Sequence, residues 1–280
     1  MEHQPTRVFQ ATLAPRLGPR AAIGLLALST DATIETEWRR LLDLDGVAFY
    51  VTRVPFESHV RTDTLASMEQ HLGAIAGDLL DGHKLDVLAY ACTSASLVIG
   101  EDRVAAALHA GRPDTPVTTP LTAVKAALSA FGTTKLTLLT PYVDEINRPL
   151  CDHFRDNGLT VSVVGSFMND SDPEVVRITP DAIARAAREL VAEQRVGALV
   201  IACTALRAAS LVPELEATLG IPVTTSNHAM AWHAMRLANV ADRRPEHGSL
   251  FTLPLVSRPT SSLHISKTRS AQSLGGRAQD

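Results

Sequence analysis

The sequence predicts an α/β protein of two pseudo-symmetric Rossmann-like lobes with parallel sheets, the functional site lying in the cleft between them. Three observations predict it. Apolar runs rich in Val, Leu and Ile end in small hydroxylated residues and lead into helical spacing, the pattern of parallel α/β units whose ligands sit at strand carboxyl ends. One such run, Leu85-Asp-Val-Leu-Ala-Tyr-Ala-Cys92-Thr93, recurs as Gly197-Ala-Leu-Val-Ile-Ala-Cys203-Thr204, with the cysteines 111 residues apart. The repeat also reaches beyond the cysteines: residues 23–31 lie over 136–144 at an offset of 113, and Pro116-Val-Thr-Thr lies over Pro222-Val-Thr-Thr at 106. A period of that length is a whole α/β half and not a solenoid unit.

Taken in order, residues 1–19 mix Pro, Gln, Arg and Thr without periodicity and read as a flexible tail. An apolar strand at Ala21–Leu28 leads through Ser29-Thr-Asp-Ala-Thr33 to a helix over 34–42, which has acidic residues in its first turn as the helix dipole favours. Val47–Val54 is the second strand, 63–80 a helix, and 85–92 the third strand, which delivers Cys92; helical spacing then runs through 109. A short strand and turn at 114–120 precede a helix over 123–131. The second unit repeats this plan with strands at 135–142 and 160–164, a helix at Pro180–Glu193, and a strand over 197–203 that brings Cys203 to the start of another helix. Residues 222–237 read as strand, turn and a last helix returning to the first lobe. Residues 20–120 with 226–256 are thus assigned to the first lobe and 121–225 to the second, and the Ser-, Arg- and Thr-rich stretch 257–280 is a second flexible tail.

Composition excludes several function classes. At 280 residues with 45% hydrophobic content, the chain can bury two ordinary cores. A formal charge of −4 and 4% aromatic residues argue against nucleic acid, which needs basic patches and stacking platforms. Three cysteines without CxxC or finger spacing suit free thiols in a reducing cytoplasm. No apolar run is long enough for a membrane span and no signal-peptide core opens the chain, so a cytoplasmic protein is expected. With no Gly-rich phosphate loop, nucleophile elbow or HExxH, no cofactor is expected. His228 and His233, five apart, do not share a helical face; solvated or capping roles are expected for them, and no metal.

The chemistry-bearing residues are therefore the thiols. A cysteine at a strand's carboxyl end meets the free N–H groups and partial positive charge of the next helix, which stabilise a thiolate and attract a carboxylate. A lone cysteine there is most often packing, but two in matching positions point to chemistry. Cys151, inside a helical stretch with no repeat partner, reads as packing. Ser29, Thr30 and Asp31 fall on the same rim as Cys92, although Asp31 or Thr33 could equally cap the following helix. Thr93, Ser94 and Thr204 are suitable donors to a substrate carboxylate and also suitable caps.

The paired Cys-Thr strand ends resemble the aspartate/glutamate racemase superfamily, in particular its maleate isomerase and arylmalonate decarboxylase branch. Ser29-Thr-Asp-Ala-Thr-Ile-Glu-Thr-Glu37, Tyr90-Ala-Cys-Thr-Ser94, Leu139-Thr-Pro-Tyr142 and Ser226-Asn-His-Ala-Met-Ala-Trp-His233 look most like ectoine-utilisation racemase-like proteins. The resemblance implies a cofactor-free site between the lobes. In maleate isomerases the cysteine matching Cys92 adds to the alkene and the one matching Cys203 handles a proton on the other face. Residues matching Tyr142 and Asn169 contact substrate carboxylates, whereas in amino-acid racemases the two thiols act as paired acid and base. Maleate isomerases carry asparagine where this chain has Asp31, a departure that would repel a dicarboxylate and attract an ammonium group. Arylmalonate decarboxylases keep only the second cysteine, so Cys92 argues against pure decarboxylation. The expected function is a cofactor-independent isomerase of racemase or epimerase type acting on a small carboxylate or amino acid, in ectoine utilisation. Maleate cis-trans isomerisation and a non-catalytic small-carboxylate binding protein are the alternatives, and a homo-oligomer is left open.

Overall fold

The computed structural model describes residues 6–57, 59–194 and 197–256. Two separate four-stranded parallel sheets form its centre. The first half of the chain runs β1 (Ala21–Leu28), α1 (Ile34–Leu41), β2 (Val47–Val54), α2 (Thr62–Ser67), α3 (Glu69–Asp78), β3 (Val87–Ala91), α4 (Thr93–Ile99), α5 (Glu101–Gly111), β4 (Val117–Thr118) and α6 (Pro120–Ala130). The second continues with β5 (Lys135–Thr140), α7 (Asp144–Asp156), β6 (Thr160–Ser166), α8 (Asp172–Val175), α9 (Pro180–Glu193), β7 (Ala198–Ile201), α10 (Val212–Leu219), β8 (Val223–Thr225) and α11 (Ser226–Leu237). Their strand orders, β2-β1-β3-β4 and β6-β5-β7-β8, are the same permutation. The cysteines follow β3 and β7, the equivalent inner strands, so the duplication read from the sequence is a duplication of topology.

β1, β3 and β7 are buried along their whole length, which explains their unbroken apolar composition. The helix expected over 63–80 is two helices: at the junction the Ser67 hydroxyl donates to Thr64 O at 2.8 Å, and Met68 is buried against the Tyr90 hydroxyl. Gly100, at φ +91°, likewise separates α4 from α5. The helix expected directly after Cys203 is absent. Residues 204–208 are irregular, a 3-10 turn covers Ala209–Leu211, and α10 begins only at Val212. Pro213 accounts for the delay, because a helix running on from Thr204 would place it in the interior, where it would cost a hydrogen bond and clash.

The closing helices of the two units, α6 and α11, pack on each other, and α11 also lies on α1 and β3. The histidines of α11 are neither solvated nor capping. His228 Nδ1 is 3.0 Å from Thr224 Oγ1 beside β8, and His233 Nδ1 is 2.8 Å from Thr118 Oγ1 in β4. Burial pushes both down to about 4, so each is a neutral fastener between the helix and one sheet. Among the described residues no cluster could hold a metal ion, and no helix is long and apolar enough to cross a membrane.

Residues 6–17 carry no regular structure, although Arg16 reaches Asp86 at 2.8 Å; the chain is already packed at Gly18. Residues 1–5 and the expected tail 257–280 lie outside the described residues. In the first lobe, α3 and α5 cross on glycines: a Cβ at Gly111 would stand 1.9 Å from Gly73 O. Gly111→Ala is therefore expected to force the helices apart and cost about 3 kcal/mol, read as a lowered thermal midpoint.

Candidate active site

Both cysteines are buried, Cys92 at 4% and Cys203 at 7% exposure, and both are free thiols. Cys92 is the N-cap of α4: its Sγ accepts the Ala95 N–H at 3.3 Å and lies 3.5 Å from Ser94 Oγ. Cys203 instead sits at φ +116°, a conformation that L-residues rarely adopt. The thiolate expected from helix N-termini is not the resting state. Burial raises the Cys92 thiol to about 12, with the Asp172 and Asp31 carboxylates adding to it against the Ser94 and Ala95 bonds. Burial raises Cys203 as well, with Asp172 again the next cause. Desolvation and two negative neighbours outweigh one helix terminus, so both thiols are protonated at neutral pH.

Tyr142, just past the end of β5, ties the thiols together. Its hydroxyl lies near the Cys203 sulfur and the Thr93 hydroxyl; burial raises its pKa, and it is close enough to both cysteines for a thiolate at either to raise it further. Thr93 Oγ1 is 2.9 Å from Ser226 Oγ, and Ser226 Oγ accepts the Cys203 N–H at 3.1 Å. Because that backbone N–H can only donate, Ser226 is free to donate to Thr93. Polar groups from both halves of the molecule thus meet beside the two thiols.

Asp31 does both things that the sequence left open. Its Oδ1 caps α1 by accepting the Thr33 and Ile34 N–H groups at 2.8 and 3.0 Å. Its Oδ2 is buried without a well-formed hydrogen bond, although the Thr204 hydroxyl is near enough to hold the pKa down against burial, which raises it. Thr204 Oγ1 also donates to Ala91 O at 3.4 Å, across the lobes. Cys92, Cys203, Thr93, Ser94, Tyr142, Asp31 and Thr204 therefore converge. Ser29 and Asn169 make their side-chain bonds elsewhere. The Ser29 hydroxyl is exposed and accepts the Phe56 N–H at 3.1 Å. Asn169 closes a turn, accepting the Ser171 N–H at 2.8 Å and donating to Glu174 at 3.0 Å.

Sequence reasoning missed Asp172 and Ser226. Asp172 is buried, accepts the Thr30 hydroxyl at 2.7 Å, and is pushed up to about 6 by burial, with Asp31 adding to it against that bond. Its setting, Ser171-Asp172-Pro173, reads simply as the start of a helix. Ser226 left a usable signal, because the repeat aligns it with Pro120: a hydroxyl stands in one half where the other has an imino ring. Loops of the two lobes meet beside this site, with Val60 N–H donating to Asp170 O at 3.0 Å.

The geometry agrees with known proteins. The arylmalonate decarboxylase family model matches residues 56–251. An arylmalonate decarboxylase of Bordetella bronchiseptica is 31% identical over 138 residues, covering 49% of this chain but only 58% of that protein. The structure of a Nocardia farcinica maleate cis-trans isomerase bound to TRIS superposes with a TM-score of 0.76 at 27% identity, covering 83% of this chain and 98% of that one. A Cys-to-Ser mutant of the Nocardia enzyme, solved with a covalently bound succinylcysteine intermediate, gives a TM-score of 0.72 at 27% identity over 79% of this chain and 94% of that one. With the family model spanning most of the chain and two buried thiols at equivalent strand ends, the protein belongs to the arylmalonate decarboxylase family of cysteine-dependent enzymes.

Proposed function

We propose that this chain is a cofactor-independent two-cysteine isomerase, of racemase or epimerase type, acting on a small carboxylate that bears an amino group. The observation that carries this is the placement of Cys92 and Cys203 around one tyrosine hydroxyl, with Asp31 and Asp172 close enough to raise both thiols. A dicarboxylate would add negative charge beside two buried carboxylates. An ammonium group would offset them and, by the same Coulombic logic, make the thiols more acidic when substrate is present. One thiolate then removes the proton from the carbon beside the carboxylate, the electron pair passes into an enolate-like anion, and the opposite thiol returns a proton to the other face. Tyr142 and Thr93 supply donors for the developing charge. An amino acid derived from ectoine is one candidate substrate, on the motif resemblance alone.

The maleate isomerase relatives favour a second reading, cis-trans isomerisation of maleate, in which the Cys92 thiolate adds to the alkene, the adduct rotates about the new single bond, and the thiolate is eliminated. Incubation with candidate amino acids and with maleate in heavy water separates the two. Deuterium at the carbon beside the carboxylate together with loss of optical activity is expected. Fumarate formed from maleate, with no exchange into any amino acid, would decide for the second reading.

A further inference from the structure

Downstream of Cys203 the chain has no helix until Val212, and side chains from other elements hold it. The Thr33 hydroxyl donates to Ala205 O at 2.8 Å, and Asn227 Nδ2 donates to Thr204 O at 2.8 Å. The Glu37 carboxylate accepts the Ala209 N–H at 2.8 Å. Two of these ties are joined, because Asn227 Nδ2 also donates to the other Glu37 oxygen at 2.7 Å. The held segment follows Cys203, whose φ, +116°, is not one the backbone would choose unaided, so the direction of its thiol rests on contacts made after it.

We propose that Glu37 is a positioning residue for the Cys203 thiol, and that its ionised form holds segment 204–209 in the working conformation and so makes the site pH-dependent. The proposal rests on reading Cys203 as a working thiol. Glu37 is half-buried on the wall of a cavity of about 460 Å³ that Arg40, Arg207, Glu246 and His247 also line, so protons reach it without passing through the reacting centre. Burial raises its pKa to about 7 against the bonds from Asn227 and Ala209, and the nearby Asp31 adds to the rise. Of its titratable neighbours on that wall, His247 is held below its ordinary value by burial and then by Arg244.

Protonation breaks the arrangement for a geometric reason. A proton on the oxygen facing Asn227 removes the acceptor for Nδ2. Turning the amide over would offer its Oδ1, which has no hydrogen-bond partner, but would also face that oxygen against Thr204 O and lose the donor there. Opening that removes the Asn227 and Ala209 bonds and leaves Glu37 buried raises its pKa further, so ionisation favours the closed segment: the tie is complete above pH 7 and lost as pH falls below it.

Amide hydrogen exchange of residues 204–209, read by mass spectrometry without substrate and corrected for intrinsic rates, tests this independently of any reaction. Protection is expected to rise about tenfold between pH 6 and pH 8, with a midpoint near 7, and Glu37→Gln should show the lower protection at both. Once a substrate is in hand, the limb near pH 7 in kcat should vanish in Glu37→Gln and return in Glu37→Asp, with KM little changed. Protection that is flat or falls with rising pH in the wild-type chain, or is unaltered in Glu37→Gln, overturns the proposal even if the isomerase reading stands. Should Glu37→Gln fail to fold, the wild-type profile alone decides.

Discussion

Cys203→Ser is expected to lower turnover by about a thousandfold or more while the chain stays folded, and Cys92→Ser to do the same. Serine preserves the volume at each strand end, so stability should move by only about 1 kcal/mol. A hydroxyl, however, ionises far less readily than a thiol, and these two sites already penalise a negative charge through burial and through Asp172 and Asp31. Cys151→Ser is the control. That residue lies half-buried on α7, with its thiol raised by burial, and turnover should survive its replacement. The checks are deuterium incorporation for turnover and thermal unfolding for the fold. If both strand-end variants kept wild-type exchange, the thiols would be packing residues and the chemistry would lie elsewhere.

Tyr142→Phe should cost about a hundredfold in kcat with a smaller change in KM, because it removes a donor aimed at the reacting centre and keeps the ring that fills the space. The tyrosine hydroxyl also lies beside Cys203 and Thr93, so its loss removes a polar neighbour from both. The stability cost should stay near 1 kcal/mol. A variant with KM raised and kcat intact would instead make Tyr142 a contact for substrate in its ground state.

What the sequence made legible divides along a physical line. β1 and β2 occupy the expected residues, because an apolar or branched run bounded by turn signals specifies a strand locally. The two Cys-Thr ends were legible for the same reason. The helix after Cys203 was misread because the repeat suggested it, while Pro213, a local signal pointing the other way, was outweighed. Asp172 was invisible as a site residue and Ser226 showed only as a departure from the repeat, since what places them is the meeting of chain segments more than a hundred residues apart: Thr30 with Asp172, and Thr93 with Ser226. Asn169 and Ser29 show the same limit from the other side: both stand after strands, where ligand contacts are common, and each also makes a local bond that its own loop requires.

The histidine fasteners on α11 carry a consequence for how this duplicated chain came to work as a unit. One helix from the second copy holds Thr118 of the first sheet through His233 and, one helical turn earlier, Thr224 of its own sheet through His228. The Trp38 indole of α1 adds a third tie by donating to Asn227 O at 3.2 Å. The first copy's counterpart, α6, has Pro120 where α11 has Ser226, so the two closing helices differ at their first residue. Neither half is complete alone: the first would lack the helix its sheet is fastened to, and the second would expose the face of α11 that α1 and α6 cover. That mutual dependence lets the thiol of one half be aimed by side chains of the other.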